Sequence, residues 1–172
     1  MDDLSPKKIR DAIDDAKAFR LLYDYYSPFV WRVIFRMVHG DSVVAEQILQ
    51  SVFITIHKSL NKFQFKSSFS TWVYQITWRE ALAQLNKKKR ENELLVPIVD
   101  ELGGFENKEV DEELNDLLVR LSEQERFLLV SREIDGFSFE ELAQITGKKS
   151  GSLRTAVSRI KDKLREVYHG EK

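Results

Sequence analysis

Few residues in this chain are spaced for bond chemistry. His39, His57 and His169 are the only histidines, and their scatter offers no metal-ligand spacing. The absence of cysteine excludes disulfides, thiol nucleophiles and thiolate metal sites, and it fits a reducing compartment. No glycine-rich phosphate loop is present. The expectation is a protein without enzymatic activity, metal or cofactor. Contact with a polyanion is better supported. From Lys148 to Arg165 seven bases stand against Asp162, interleaved with the hydroxyls of Ser152, Thr155 and Ser158. From Asn61 to Arg90 seven bases stand against Glu80, among Phe63, Phe65, Phe69, Trp72, Tyr74 and Trp78. Cations pair with phosphates, and aromatic rings stack on unpaired bases.

Helices must position both clusters. In "GFSFEELAQITGKKSGSLRTAVSRIKDKLRE", Ser138 followed by Glu141 spells a capping box. Phe139, Leu142, Ala143 and Ile145 then form an inner face, and Gly147 ends the helix. Ser150 is the expected N-cap of the next helix, whose buried stripe is Leu153, Val157, Ile160, Leu164 and Val167. At 100° per residue, Thr155, Ser158, Arg159 and Asp162 fall opposite that stripe, with Arg154 and Arg165 on its flank. This is a helix-turn-helix pattern whose second helix suits the DNA major groove. A helical hairpin with a solvated basic face is the competing reading. Upstream, "LSEQERFLLVSREIDG" holds a second capping box, Ser122 with Glu125, and a short helix is expected at about Glu112–Arg120.

The balance of charge divides the chain. Net charge is −1 over 172 residues, yet from Glu91 to Asp116 ten acids stand against Lys108 alone. Pro97 and the Gly103-Gly104 pair interrupt helix there, so the segment reads as a linker. The predicted organisation is all-α, with two small helical domains at residues 1–90 and 111–172 joined by an acidic flexible linker at 91–110. A 42% apolar content supports real cores. The charged start is no signal peptide, and no apolar run is long enough to span a bilayer.

Taken in order, "LYDYYSPFVWRVIFRMVHGDSVVAEQILQSVFITIHKSLNKF", "SFSTWVYQITWREALAQLNKKKR" and "LSEQERFLLVSREIDGFSFEELAQITGKKSGSLRTAVSRIKDKLRE" resemble regions 2 and 4 of bacterial sigma factors. With no room for a third domain between them, the resemblance is to the extracytoplasmic-function class. It implies binding to core RNA polymerase and to promoter DNA, as duplex and as non-template single strand. It also implies an anti-sigma factor partner and a cytoplasmic location without membrane insertion. A stand-alone helix-turn-helix transcriptional regulator is the alternative.

The same resemblance assigns residues. Glu46, Gln47 and Gln50 lie at the polymerase-docking helix, where Val44, Gln47 and Ser51 replace acids of the family pattern. Phe65, Lys66, Ser67 and Ser68 match the loop that captures a base flipped out at the minus-ten element. Extrusion costs a few kcal/mol, which the pocket must return by stacking and hydrogen bonds. Tyr74, Trp78 and Lys88 are expected on the strand-melting face. Packing against the first two helices is the other reading for Tyr74 and Trp78, while Trp72 and Phe63 are expected in the core. Lys149, Ser152, Arg154, Thr155, Ser158 and Arg159 are expected at the minus-thirty-five element. The acidic linker suits either a path inside the polymerase or a simple tether.

Overall fold

The computed structural model describes residues 3–94, 118 and 120–170. Its ordered elements are all helical. Helix α1 (Pro6–Asp11) has proline in its first turn, where the missing N–H costs nothing. Helix α2 (Ala16–Met37) is capped by Asp15, which accepts from the Lys17 N–H at 2.8 Å. Helix α3 (Ser42–Ser59) is capped by Asp41, which accepts from the Val44 N–H at 3.0 Å. A short 3-10 turn (Leu60–Lys62) leads toward helix α4 (Phe69–Leu94). Both expected capping boxes are formed, at the starts of α5 (Glu123–Glu133) and α6 (Phe139–Thr146). Gly147 ends α6 in the left-handed conformation, with φ 73°. Helix α7 (Ser150–Gly170) begins at Ser150 itself, and the Leu153 N–H bonds the carbonyl of Lys149. Ser150 therefore opens the helix instead of capping it.

Helix α4 continues four residues into the segment read as linker. The run Lys87–Leu94 is rich in good helix formers, and Lys87 pairs with Glu91 one turn on. The rest of that segment, and most of the helix expected at 112–120, lie outside the described residues.

Helices α1–α4 bury Ile9, Tyr26, Val30, Ile34, Ile48, Val52, Ile56 and Val73. Helices α5–α7 bury Phe127, Leu142, Ile145, Leu153, Val157 and Ile160. The two groups also pack on each other, α6 against α4 and α5 against α2. As a result α4 is buried on more than one side: Val73, Tyr74, Ile76, Thr77, Trp78 and Ala81 are all covered. A helix apolar around most of its circumference belongs in a core. Tyr74 meets Phe137 at 4.6 Å between ring centroids, and Trp78 meets Phe127 at 4.5 Å. Polar contacts cross the same boundary. Arg32 pairs with Asp135, the Gln75 amide donates to the Gln144 carbonyl at 2.9 Å, and Arg126 bonds the imidazole of His39.

Candidate nucleic-acid interface

The second basic cluster takes its shape from α7. Leu153, Val157 and Ile160 face the bundle, which turns Lys149, Ser152, Arg154, Thr155, Ser158 and Arg159 to solvent. All six residues expected at the upstream element are therefore exposed together. The neighbouring lysines are engaged within the bundle: Lys161 pairs with Glu133 at 2.9 Å and Lys163 with Glu125 at 3.6 Å. Lys149 and Arg159 have no such pair among the described residues. The Arg154 guanidinium lies over the Phe139 ring at 4.9 Å, and Arg132 lies over the same ring at 4.6 Å. The Arg154 guanidinium donors have no hydrogen-bond or ion-pair partner among the described residues, which leaves them available to a guanine edge.

In the first half, the loop between the 3-10 turn and α4 stands out. Phe63 is half-buried, edge-on to Phe69 and tilted against Trp72. Phe65 is 39% exposed and has φ 56°, a conformation bulky residues rarely adopt. Lys66 and Ser68 are exposed and Ser67 is half-buried. The Ser68 hydroxyl is not idle: it accepts from the Thr71 N–H at 3.1 Å and so caps α4. Asp3 adds a second cap, accepting from the Phe69 and Ser70 N–H groups. Arg10 lies over the Phe65 ring at 4.9 Å.

The expected melting face differs from the one observed. Tyr74 is fully buried and Trp78 is 6% exposed, each against an aromatic ring from the second half of the chain. Angular counting grouped them on one face of α4. Both readings of that face, a surface for unpaired DNA and packing on the first two helices, leave out Phe127 and Phe137, which cover it here. In the packed arrangement neither ring can meet a base. Lys88 remains exposed and pairs with Asp41 at 3.3 Å. Trp72 is half-buried and packs in the aromatic cluster with Phe63 and Phe69.

On α3, Glu46, Gln47 and Gln50 are exposed, with Gln50 and Glu46 one turn apart and in contact at 3.5 Å. Val43 and Ile54 on the same helix are 60% and 53% exposed. An open groove beside them is lined by Phe19, Gln50, Phe53, Ile54, His57 and Lys58. This surface thus combines few charges with exposed aliphatic groups.

Sequence reading missed Asp3, Arg10, Arg32, His39, Arg126 and Asp135. Arg126 left one signal, because it stands one turn before buried Val130 in the apolar register of α5. Burial brings its guanidinium down to about 10 despite Glu123 and Glu125 nearby. His39 is held below the ordinary histidine value, first by burial and then by Arg126.

The two halves match separate family models: Sigma-70 region 2 over residues 22–91, and Sigma-70, region 4, over residues 111–164. The ECF RNA polymerase sigma-E factor of Escherichia coli strain K12 is 30% identical over 166 residues, covering 87% of this chain and 86% of that protein. The ECF RNA polymerase sigma factor SigW of Bacillus subtilis strain 168 is 24% identical over 168 residues, covering 88% of this chain and 89% of its own. Two solved structures share the fold. One is the sigma factor RpoE in complex with the anti-sigma factor NepR from Bartonella quintana, at TM-score 0.72 and 20% identity over 91% of this chain and 100% of that one. The other is CnrH in complex with the cytosolic domain of CnrY, at TM-score 0.69 and 15% identity over 96% of this chain and 97% of that one.

Proposed function

The chain belongs to the sigma-70 family, among its ECF sigma factors, and on that premise we propose how its surfaces divide the work. An RNA polymerase sigma factor catalyses no bond chemistry. It binds core polymerase and promoter DNA and starts transcription at specific sites. In our assignment residues 1–90 and 111–172 form the two working domains, and 91–110 joins them. Glu46, Gln47 and Gln50 dock on the polymerase, with Val43 and Ile54 adding apolar area. Phe65, Lys66, Ser67 and Ser68 capture a flipped minus-ten base. Lys149, Ser152, Arg154, Thr155, Ser158 and Arg159 contact the minus-thirty-five element.

One observation carries the assignment: six polar and basic residues are exposed together, Lys149 just ahead of α7 and the other five on it, with the helix held from behind by Leu153, Val157 and Ile160. Their hydroxyl and guanidinium groups suit base edges, and the lysine suits phosphate. Tyr74 and Trp78 work only after the two halves separate, so the packed form is a resting state. An anti-sigma factor that holds such a state is the proposed regulatory partner. Support comes from the RpoE structure, in which a sigma factor of this fold is bound to NepR. No helix among the described residues is long and apolar enough to cross a membrane, which suits a proposed place of action in the cytoplasm.

Run-off transcription with core polymerase, followed by mapping of start sites, tests the reading. Initiation at defined sites only when the chain is added supports it. Duplex promoter binding without core, and no initiation with it, would indicate a stand-alone regulator instead.

A further inference from the structure

We infer that the N-terminal segment from Asp3 to Asp11, which lies ahead of the matched region at residues 22–91, is part of the base-capturing site. In this inference Arg10 touches the captured strand and Asp3 is a positioning residue. The inference rests on the reading of Phe65–Ser68 as the capturing loop.

The segment is docked on the protein. Ile9 and Ala12 are 3% and 1% exposed, and the Leu4 N–H donates to the Tyr26 hydroxyl at 3.3 Å. From that base Asp3 reaches the first turn of α4, where its carboxylate accepts from the N–H groups of Phe69 and Ser70. First-turn donors have no partner within their own helix, and a negative charge there is favoured by the helix dipole. A neighbouring residue usually supplies this cap, and Ser68 does supply one. The carboxylate from the far end of the chain adds more, because it fixes the point at which the loop enters α4.

Arg10 holds the other side of the loop. Its guanidinium lies over the Phe65 ring, and the ring packs on Phe63 at 4.7 Å. Phe65 keeps a positive φ that an aromatic residue avoids unless its surroundings impose it, and such conformations concentrate at functional sites. The outcome is a half-exposed ring flanked by the exposed cations Arg10 and Lys66. Rings stack on unpaired bases, and cations beside them meet the backbone phosphates. Arg10 is exposed, and its guanidinium donors have no hydrogen-bond or ion-pair partner among the described residues, which leaves them available to a phosphate. An arginine plane also serves as a stacking surface for a base.

The test uses the full chain with core polymerase on a mapped promoter, as duplex and with the minus-ten region mismatched open. Arg10→Ala should weaken binding to the pre-opened template by about threefold to tenfold and flatten its salt dependence by about one counterion. Arg10→Lys should restore the salt dependence but not the full affinity for the pre-opened template, because an ammonium cannot stack on a base as a guanidinium does. Asp3→Ala should flatten the preference at the base read by the loop without changing the salt dependence. Arg10→Ala with unchanged pre-opened binding overturns the inference. So does Asp3→Ala with a lowered melting temperature but an unchanged preference. A swap of Lys66-Ser67-Ser68 keeps the two readings apart. If the swap shifts the preferred base while Arg10→Ala leaves pre-opened binding unchanged or Asp3→Ala leaves the preference unchanged, only this inference falls. If the swap shifts nothing, the capturing loop itself is misassigned and both fall.

Discussion

The rings of Tyr74 and Phe137 lie 4.6 Å apart between centroids, tilted by 52°, although the two residues belong to different halves of the chain. A ring packed this way cannot stack on a base at the same time. Contact with the other half and contact with DNA are therefore alternatives for Tyr74. Phe137→Ala should weaken the packed form; deleting a buried phenylalanine from a core costs about 3–5 kcal/mol. In a Trp31→Phe, Trp72→Phe background, Trp78 fluorescence should become more accessible to quencher. Opening of duplex promoter should quicken. Tyr74→Ala should loosen the packing as well but slow opening by roughly tenfold, since stacking on one base is worth about 1–3 kcal/mol. A pre-opened template should rescue it. If both variants quicken opening alike, Tyr74 is a packing residue only.

The Arg32–Asp135 pair makes an asymmetric prediction. The Asp135 side chain is 2% exposed and that of Arg32 is 35% exposed. Removing Arg32 leaves the buried carboxylate with Arg36 as its remaining cation among the described residues, whereas removing the aspartate leaves Arg32, which still reaches solvent, and takes from half-buried Arg36 the acid that offsets its desolvation. Stranding one partner of a buried pair costs about 3–5 kcal/mol. In an Arg36→Met background, where no second cation faces the aspartate, Arg32→Met should approach that figure in urea unfolding and Asp135→Leu should cost clearly less. Equal losses would contradict the burial argument.

Acid should loosen the two halves through His39. Its neutral ring accepts from Arg126, and Glu123 is the acid nearby that partly offsets the arginine. Because the packed form holds His39 below the ordinary value of about 6.5, it prefers the neutral ring. The contribution is complete above that ordinary value and is lost as pH falls through the lowered one. Trp78 quenching followed from pH 7.5 to 5 should rise more in the wild type than in His39→Gln, which keeps an acceptor but does not titrate. Parallel curves would remove His39 from the account.

The helices, both capping boxes and the exposed face of α7 were legible because each is written locally, in residues within a turn or two of one another. Ser138 and Glu141 are three positions apart, and Leu153, Val157 and Ile160 repeat at helical spacing. What escaped was written across distance. Nothing near Asp3 announces α4, and nothing near Tyr74 announces Phe137. A second apolar face on α4 reads equally as a DNA platform or a core face until its partner is known. The packed form buries both Tyr74 and Trp78, and against the second half of the chain instead of the first two helices that the packing reading names.

For the recognition helix, a base-reading arginine and a phosphate-binding lysine should separate cleanly. Arg154→Ala or Arg159→Ala should lose about 1–3 kcal/mol of discrimination at particular upstream bases. Lys149→Ala should weaken binding evenly and reduce the salt slope by about one. Measuring initiation on promoters substituted one base at a time tells them apart. An even loss for Arg154 or Arg159 would make that arginine a phosphate contact.

On α3, Glu46→Lys with Gln50→Ala should weaken core binding while leaving helicity unchanged, because both side chains are exposed and neither supports the core. Ile54→Asp should weaken it further if apolar contact carries part of the docking. Affinity untouched by all three changes would move the docking surface elsewhere.

The bond from the Ser70 N–H to Asp3 spans 67 positions of sequence, and that distance is also a delay. Chains leave the ribosome from the N-terminus at about 5–20 residues per second, so Asp3 waits about 3–13 s for its partner to be made. Helices α2 and α3 can associate during that wait, but α4 cannot yet close over them. The loop at Phe65 is therefore shaped only when a residue made well before it meets one made just after it. A nascent chain paused before Ser70 would carry its Asp3 carboxylate without that partner.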